Sequence, residues 1–153
     1  MEFLGIFNQD FFYTAIRMAA PIILAAAGEV MLERAGIFNL GIEGGMLLGA
    51  FLAVLGSYLF QSPWMGLLLA SLGGVVLGVI FGWATISLRA NQAVTGTGIN
   101  ILFAGLTSLL ARMIWGVRDV PLTVPAFQEV PIPLLSDIPV IGPVLFRHSF
   151  LVY

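Results

Sequence analysis

Cysteine and lysine are both absent from this 153-residue chain, and histidine occurs once, at His148. Without cysteine the chain can form no disulfide, no thiolate metal site and no cysteine nucleophile. The single histidine has no neighbouring ligand types, so we predict no metal site. Without lysine the chain cannot build a Walker A loop, whose lysine contacts the phosphates of ATP. If this protein moves a solute uphill, the energy must come from an ion gradient or from another subunit.

Charge is scarce in this chain. Charged residues make up 9% of it, hydrophobic residues 59%, and the mean hydropathy is +1.05. A soluble domain needs more charge to cover its surface, so the composition predicts an integral membrane protein. The formal net charge is −2, so no basic surface indicates a nucleic-acid partner.

Motifs for catalysis are missing as well. The chain contains no GxSxG motif, no HExxH motif and no carboxylate pair beside a histidine. The GTG at 96–98 lacks the strand and helix context of a nucleotide-binding fold. We therefore predict a protein that is not an enzyme and carries no cofactor.

Long apolar runs are what the chain has in place of these features. A membrane-spanning helix needs about 20 consecutive apolar residues. No stretch alternates apolar and polar residues over the length that a strand of a membrane barrel needs. The sequence therefore predicts an all-α polytopic helix bundle. Its four predicted spans are 11–32, 39–60, 64–88 and 93–115.

Proline sets the segment 119–148 apart, because it holds six of the eight prolines. Proline at this density removes amide donors and breaks helices, so we predict an extended connection outside the hydrocarbon, with a short interfacial piece at 138–146. The apolar run resumes at 149–153. We read it as the start of a fifth span in a fragment; a natural C-terminus lying in the interface is the alternative.

The few arginines predict the orientation. Arg34 and Arg89 fall in short connections on one side of the predicted bundle. The positive-inside rule places that side in the cytoplasm and the proline-rich segment 119–148 outside.

Small residues recur every four positions on three of the predicted helices. Such faces let helix backbones approach closely, and this packing drives helix association in lipid. The predicted packing glycines are Gly41, Gly45 and Gly49 on the second span and Gly74, Gly78 and Gly82 on the third.

Asn39 and Glu43 introduce polar groups at the start of the second span. On a helix the two would share a face. Asn39 could instead cap the helix, with Glu43 in the first turn where a negative charge suits the helix dipole. The functional alternative is an interrupted, glycine-rich helix start that borders a polar path.

A second polar set opens the fourth span, in NQAVTGTGIN. Its amides and hydroxyls could bond across helices or line a path for a hydroxyl-rich solute, and for the threonines we favour interhelical bonds. With Asn39 and Glu43, the candidate path residues are Gln92, Thr95, Thr97 and Asn100. Glu29 and Glu33 stand four apart beside Arg34 and indicate local charge pairing at a helix end.

Three stretches of the chain resemble a known family. GEVMLERAGIFNLGIEGGMLLGAF (28–51) is similar to a signature of permease subunits of bacterial ATP-binding-cassette importers, the family shared by ribose-type and branched-chain amino acid permeases. LRANQAVTGTGINILFAGLTSLLAR (88–112) and IPLLSDIPVIGPVLFRHSFLVY (132–153) follow in the expected order. The branch that the chain resembles most is that of simple-sugar and nucleoside permeases.

The resemblance implies a multi-pass permease of the bacterial plasma membrane. It implies three protein partners: an ATPase subunit, a second homologous permease subunit and an extracytoplasmic solute-binding lipoprotein. Family members are about twice as long and include a cytoplasmic coupling segment, so 1–153 would be the N-terminal half of one transmembrane permease domain. The implied substrate is a nucleoside or simple sugar.

Other functions stay open. A branched-chain amino acid permease is the alternative transporter. A non-transporting membrane scaffold would need only the packing faces, and an ion-coupled carrier would use Glu43 as its titrating group.

Overall fold

The computed structural model describes residues 9–116, 123–131 and 144–152. Its helices are α1 (Gln9–Arg34), α2 (Ile42–Phe60), α3 (Pro63–Gly82) and α4 (Gln92–Trp115). All four are long and apolar enough to cross a membrane. The predicted all-α polytopic architecture is therefore confirmed, and most helix ends lie within two residues of their predicted positions.

Local residue chemistry explains the connection between α2 and α3. Gln61 ends α2 in a left-handed conformation with φ 50°, and its side-chain amide donates a hydrogen bond to Tyr58 O at 2.7 Å. Pro63 then occupies the first position of α3, where its missing N–H group has no helical partner to lose. Only Gln61 and Ser62 separate the two helices, so α2 and α3 run antiparallel.

A π-helical segment, Trp83–Ser87, follows α3 directly. Buried Thr85 donates its hydroxyl to Phe81 O at 2.8 Å, which satisfies that hydroxyl inside the helix. Asn91 then starts α4 as its N-cap, with its side-chain oxygen accepting from Val94 N–H at 3.1 Å. Because the π-helical segment continues α3, the third predicted span is complete.

The described residues divide into two compact units, of which Gly28–Ala126 contains α2, α3 and α4. Within this unit α2 packs against both α3 and α4. Glycine allows the α2–α3 contact, since a Cβ atom on Gly56 would lie 2.8 Å from Gly66 Cα. Real Cβ atoms do not approach that closely, so this crossing depends on backbone-to-backbone contact.

The other unit joins Met1–Ala27 with Phe127–Tyr153. Here β1 (Glu129–Pro131) pairs with β2 (Arg147–Ser149) in an antiparallel register that sets Val130 opposite His148. Tyr13 of α1 donates its hydroxyl to Glu129 Oε1 at 2.6 Å, and its ring stacks on His148 with centroids 4.7 Å apart. Tyr13 thus joins α1 to both strands of this two-stranded sheet.

The proline-rich segment 119–148 is described only in part. Residues 123–128 have no regular structure and lead into β1. Residues 117–122 and 132–143 lie outside the described part, and with them most of the predicted interfacial piece at 138–146. The start of a fifth span at 149–153 stays a prediction.

Candidate functional site

The connection between α1 and α2 begins with a helix-ending turn. Gly36 adopts φ 79°, a left-handed conformation that glycine reaches without strain. Its N–H group bonds to Glu33 O at 2.9 Å, and Ile37 N–H bonds to Leu32 O at 3.0 Å. These two bonds satisfy carbonyl groups at the end of α1 and turn the chain toward α2.

The next residues, 38–44, form what we call the turn segment. Its backbone is irregular until α2 begins at Ile42. Irregular backbone that packs against helices requires other partners for its N–H and C=O groups, because it makes no regular helical bonds. In this structure side chains from α1 and α4 provide those partners.

Glu29 supports the turn segment from α1. Its Oε1 atom accepts a hydrogen bond from Asn39 N–H at 2.9 Å. Its Oε2 atom is buried and has no hydrogen-bond partner among residues 9–116, 123–131 and 144–152. We expected Glu29 to pair locally near Arg34, and that interpretation missed this contact, since helical spacing alone does not reveal a partner in the following connection.

Two side chains support the turn segment from α4. Gln92 Oε1 accepts from Phe38 N–H at 2.7 Å. Asn100 Oδ1 accepts from Gly44 N–H at 2.7 Å, and its Nδ2 donates to Leu40 O at the same distance. The structure therefore brings two of the predicted path residues onto one stretch of backbone.

Close backbone contact accompanies these hydrogen bonds. A Cβ atom on Gly96 would lie 2.7 Å from Gly41 N and 2.8 Å from Leu40 N. One on Gly44 would lie 2.8 Å from Ile99 O. The turn segment and α4 thus meet at glycines on both sides, which explains how the Asn100 amide reaches the backbone.

Asn39 lies outside α2, so two sequence interpretations are wrong. It does not share a helical face with Glu43, and Gly41 rather than Asn39 is the N-cap. The Asn39 side chain instead accepts from Gly41 N–H at 2.8 Å, which is a turn bond of the kind that asparagine favours. Glu43 does lie in the first turn of α2, the position that the capping interpretation gave it, and its side chain is exposed.

The two candidate threonines bond within α4. Thr95 donates its hydroxyl to Asn91 O at 2.9 Å and Thr97 donates to Ala93 O at 2.9 Å. This is a local pattern, not the interhelical bond we favoured for threonine. Each oxygen can still accept a hydrogen bond.

The predicted packing glycines occupy different surroundings. Gly41 lies in the contact with α4, and a Cβ atom on Gly45 would lie 3.4 Å from Leu77 Cδ2. At the other four, a Cβ atom would meet no atom of another described segment within 4 Å, so their packing role stays a prediction: Gly49, Gly74, Gly78 and Gly82.

The candidate site offers no metal centre. Among the residues that the structure describes, no group of three histidine or carboxylate side chains could hold an ion. The polar groups present are the Glu43 carboxylate and the amide and hydroxyl groups at the start of α4, all of which can form hydrogen bonds.

Comparison with known proteins gives a consistent picture. Residues 11–133 match the family described as the branched-chain amino acid transport system permease component. The chain is 40% identical over 138 residues to the guanosine ABC transporter permease protein NupQ of Bacillus subtilis, covering 86% of this chain and 43% of that protein.

Two further relatives agree with this match. The nucleoside ABC transporter permease protein NupC of Lactococcus lactis is 32% identical, with 87% of this chain and 44% of the relative covered. The putative glucose ABC transporter permease protein TsgC13 of Haloferax volcanii is 32% identical, with 88% and 40% covered. The chain thus spans about two fifths of the length of these relatives. No solved structure matches it.

Proposed function

This chain belongs to the branched-chain amino acid transport system permease component family, and we propose that it forms part of the path of an ATP-binding-cassette importer for a nucleoside or simple sugar. The observation that carries the proposal is the 40% identity to a guanosine permease over 86% of this chain. The nucleoside permease and the putative glucose permease support the same substrate class over a branched-chain amino acid.

Within that importer we propose a division of labour. The permease opens its solute path alternately to the two sides of the membrane, while a separate ATPase subunit binds and cleaves ATP. This division is in keeping with the absence of lysine from this chain. A second permease subunit, an extracytoplasmic solute-binding lipoprotein and the bilayer complete the assembly. We place it in the plasma membrane of a bacterium.

The structure supports the orientation proposed for these helices. Phe38 N–H bonds to Gln92 at the start of α4, so the α1–α2 and α3–α4 connections lie at the same end of the unit. Arg34, which we predicted in a connection, is instead the last residue of α1 at this end. Arg89 lies in the α3–α4 connection, as predicted. We propose that this end faces the cytoplasm and that the segment 119–148 lies outside, within a single permease domain.

We further propose that Asn39, Glu43, Gln92, Thr95 and Thr97 border the solute path. Glu43 is exposed, and its carboxylate accepts no hydrogen bond among residues that the structure describes. A carboxylate, two amides and two hydroxyl oxygens can bond the hydroxyl and N–H groups of a nucleoside or sugar.

Disabling the partner ATPase tests the proposed function. In the full-length permease complex, we expect replacement of the Walker A lysine of the ATPase subunit to reduce uptake of radiolabelled guanosine to background. Unlabelled nucleosides should compete with this uptake in the unmodified complex, and leucine should not. Uptake that persists without ATP hydrolysis would contradict the importer assignment, and competition by leucine alone would favour the amino acid alternative.

Replacing Glu43 tests the proposed solute contact. Loss of a charge-assisted hydrogen bond of about 1.5–3 kcal/mol corresponds to a tenfold or greater loss of affinity. We therefore expect Glu43→Gln to raise the half-saturation concentration for uptake about tenfold, with the pH dependence unchanged. The control is Glu33→Gln, another exposed carboxylate, which should behave as wild type. A Glu43→Gln permease that loses its pH dependence would instead support an ion-coupled carrier.

A further inference from the structure

The start of α2 has an unusual cap. Its N-cap residue is Gly41, which has no side chain to accept a hydrogen bond. In most helices the N-cap side chain accepts from the N–H group two or three positions later. Here the third N–H group, that of Gly44, bonds to Asn100 Oδ1 at 2.7 Å. The cap of α2 is therefore supplied by a different helix, α4.

The same amide also holds the backbone just before the cap. Asn100 Nδ2 donates to Leu40 O at 2.7 Å. One side chain thus bonds the turn segment on both sides of Gly41, with a donor and an acceptor used together. Asparagine suits this position because its amide supplies both groups within one short side chain.

Packing excludes a solute from this contact. A Cβ atom on Gly44 would lie 2.8 Å from Ile99 O and 3.0 Å from Asn100 Cα. No ligand fits between backbones that close. The bond from Gly44 N–H to Asn100 Oδ1 therefore lies beside this close contact, whereas the bond to Leu40 O is exposed. Glu43, one residue earlier in α2, is exposed and does not take part in either bond.

We propose that Asn100 is a positioning residue of the transport cycle, which keeps the first turn of α2 joined to α4 while the permease changes state. The inference rests on the proposed function, because it assigns Asn100 to the rate of transport and not to solute affinity. The first turn of α2 then moves together with α4 as one rigid body.

Uptake kinetics of the full-length complex distinguish positioning from solute contact. Asn100→Leu removes both hydrogen bonds, and we expect the maximal uptake rate to fall at least tenfold while the half-saturation concentration stays within twofold. Asn100→Asp keeps the acceptor for Gly44 N–H and loses the donor to Leu40, so it should recover part of the rate. The control is Ser108→Leu, an exposed position on the same helix, which should transport at the wild-type rate.

Several outcomes would overturn the inference. An increase in the half-saturation concentration that parallels the decrease in maximal uptake rate would show that Asn100 contacts the solute. Maximal uptake rates within twofold of wild type for both Asn100→Leu and Asn100→Asp would show that Asn100 has no positioning role. Asn100→Leu could fail to assemble, and Asn100→Asp then decides. If Asn100→Asp transports at the wild-type rate, the hydrogen bond from Asn100 to Leu40 O contributes little, which would refute the proposal that both bonds of Asn100 are needed.

A distance measurement tests the single-body claim directly. This chain has no cysteine, so spin labels can be placed at exposed Leu47 of α2 and Ile101 of α4, which are 43% and 71% exposed. In the full-length complex without other reactive cysteines, we expect one distance in the resting and ATP-trapped states and a broader distribution in Asn100→Leu. A shift of about one helical turn, roughly 5 Å, between the states of the wild type would refute the inference. Failure of the proposed function would look different, because the unmodified complex would then show no ATP-dependent uptake.

Discussion

Gly96→Val is expected to prevent assembly of a folded permease. The added side chain would begin 2.7 Å from Gly41 N, 2.8 Å from Leu40 N and 3.0 Å from Leu40 C. All three atoms belong to the backbone, so no side-chain rotation can relieve the overlap. Overpacking of a well-packed contact costs about 1–3 kcal/mol and sometimes more. We expect the upper end of that range, because separating α4 from the turn segment would also break the hydrogen bonds of Gln92 and Asn100.

Gly98→Val is the matched control for this substitution. Gly98 lies on the same helix two residues later, and a Cβ atom there would meet nothing within 4 Å. The same change of side chain should therefore leave the amount of folded permease near the wild-type level, as measured by size-exclusion chromatography after extraction in mild detergent. Equal loss in both variants would show that valine itself, and not the contact at Gly96, is responsible.

Glu29→Ala is expected to lower the stability of the Gly28–Ala126 unit. The substitution leaves the part-buried Asn39 N–H without its acceptor at 2.9 Å, and an unsatisfied donor costs up to about 1–3 kcal/mol as its burial becomes complete. For a domain of about 150–250 residues, each kcal/mol lowers the melting temperature by ~2–4 °C. Thermal unfolding of the full-length permease in detergent should therefore show a decrease of several degrees.

Two variants test whether loss of the Glu29 acceptor causes the decrease in melting temperature. Glu29→Gln retains a side-chain oxygen, so it should recover most of the melting temperature. Glu33→Ala removes a carboxylate one turn later on α1 at an exposed position, and it should have little effect. If Glu29→Gln melts as low as Glu29→Ala, the hydrogen bond to Asn39 does not account for the loss of stability.

These predictions change the interpretation of the polar residues at the start of α4. Gln92 and Asn100 stood out in the sequence as candidates for a solute path. In the structure both bond to the turn segment, and Asn100 uses its donor and its acceptor there. Polar side chains in an apolar chain can thus serve to satisfy irregular backbone.

The sequence by itself determined the four helices. Each apolar run is long enough to cross a membrane, and a spanning segment must satisfy its backbone internally, so composition and length decide the secondary structure. Pro63 and Gly36 also mark helix ends through conformational preferences that depend on one residue and its neighbours. Such local properties can be read along the chain.

Only the tertiary structure decided which polar groups and which glycines meet. Gly44 N–H and Asn100 are 56 residues apart in sequence, and no local preference specifies that pair. Glycines at a spacing of four identify a helix face made of small residues, but the way the helices cross decides whether a neighbouring helix covers that face. Gly96 therefore contacts backbone, while a Cβ atom on Gly78 would meet nothing within 4 Å. Residue spacing describes one helix, whereas a contact depends on the relative position of two.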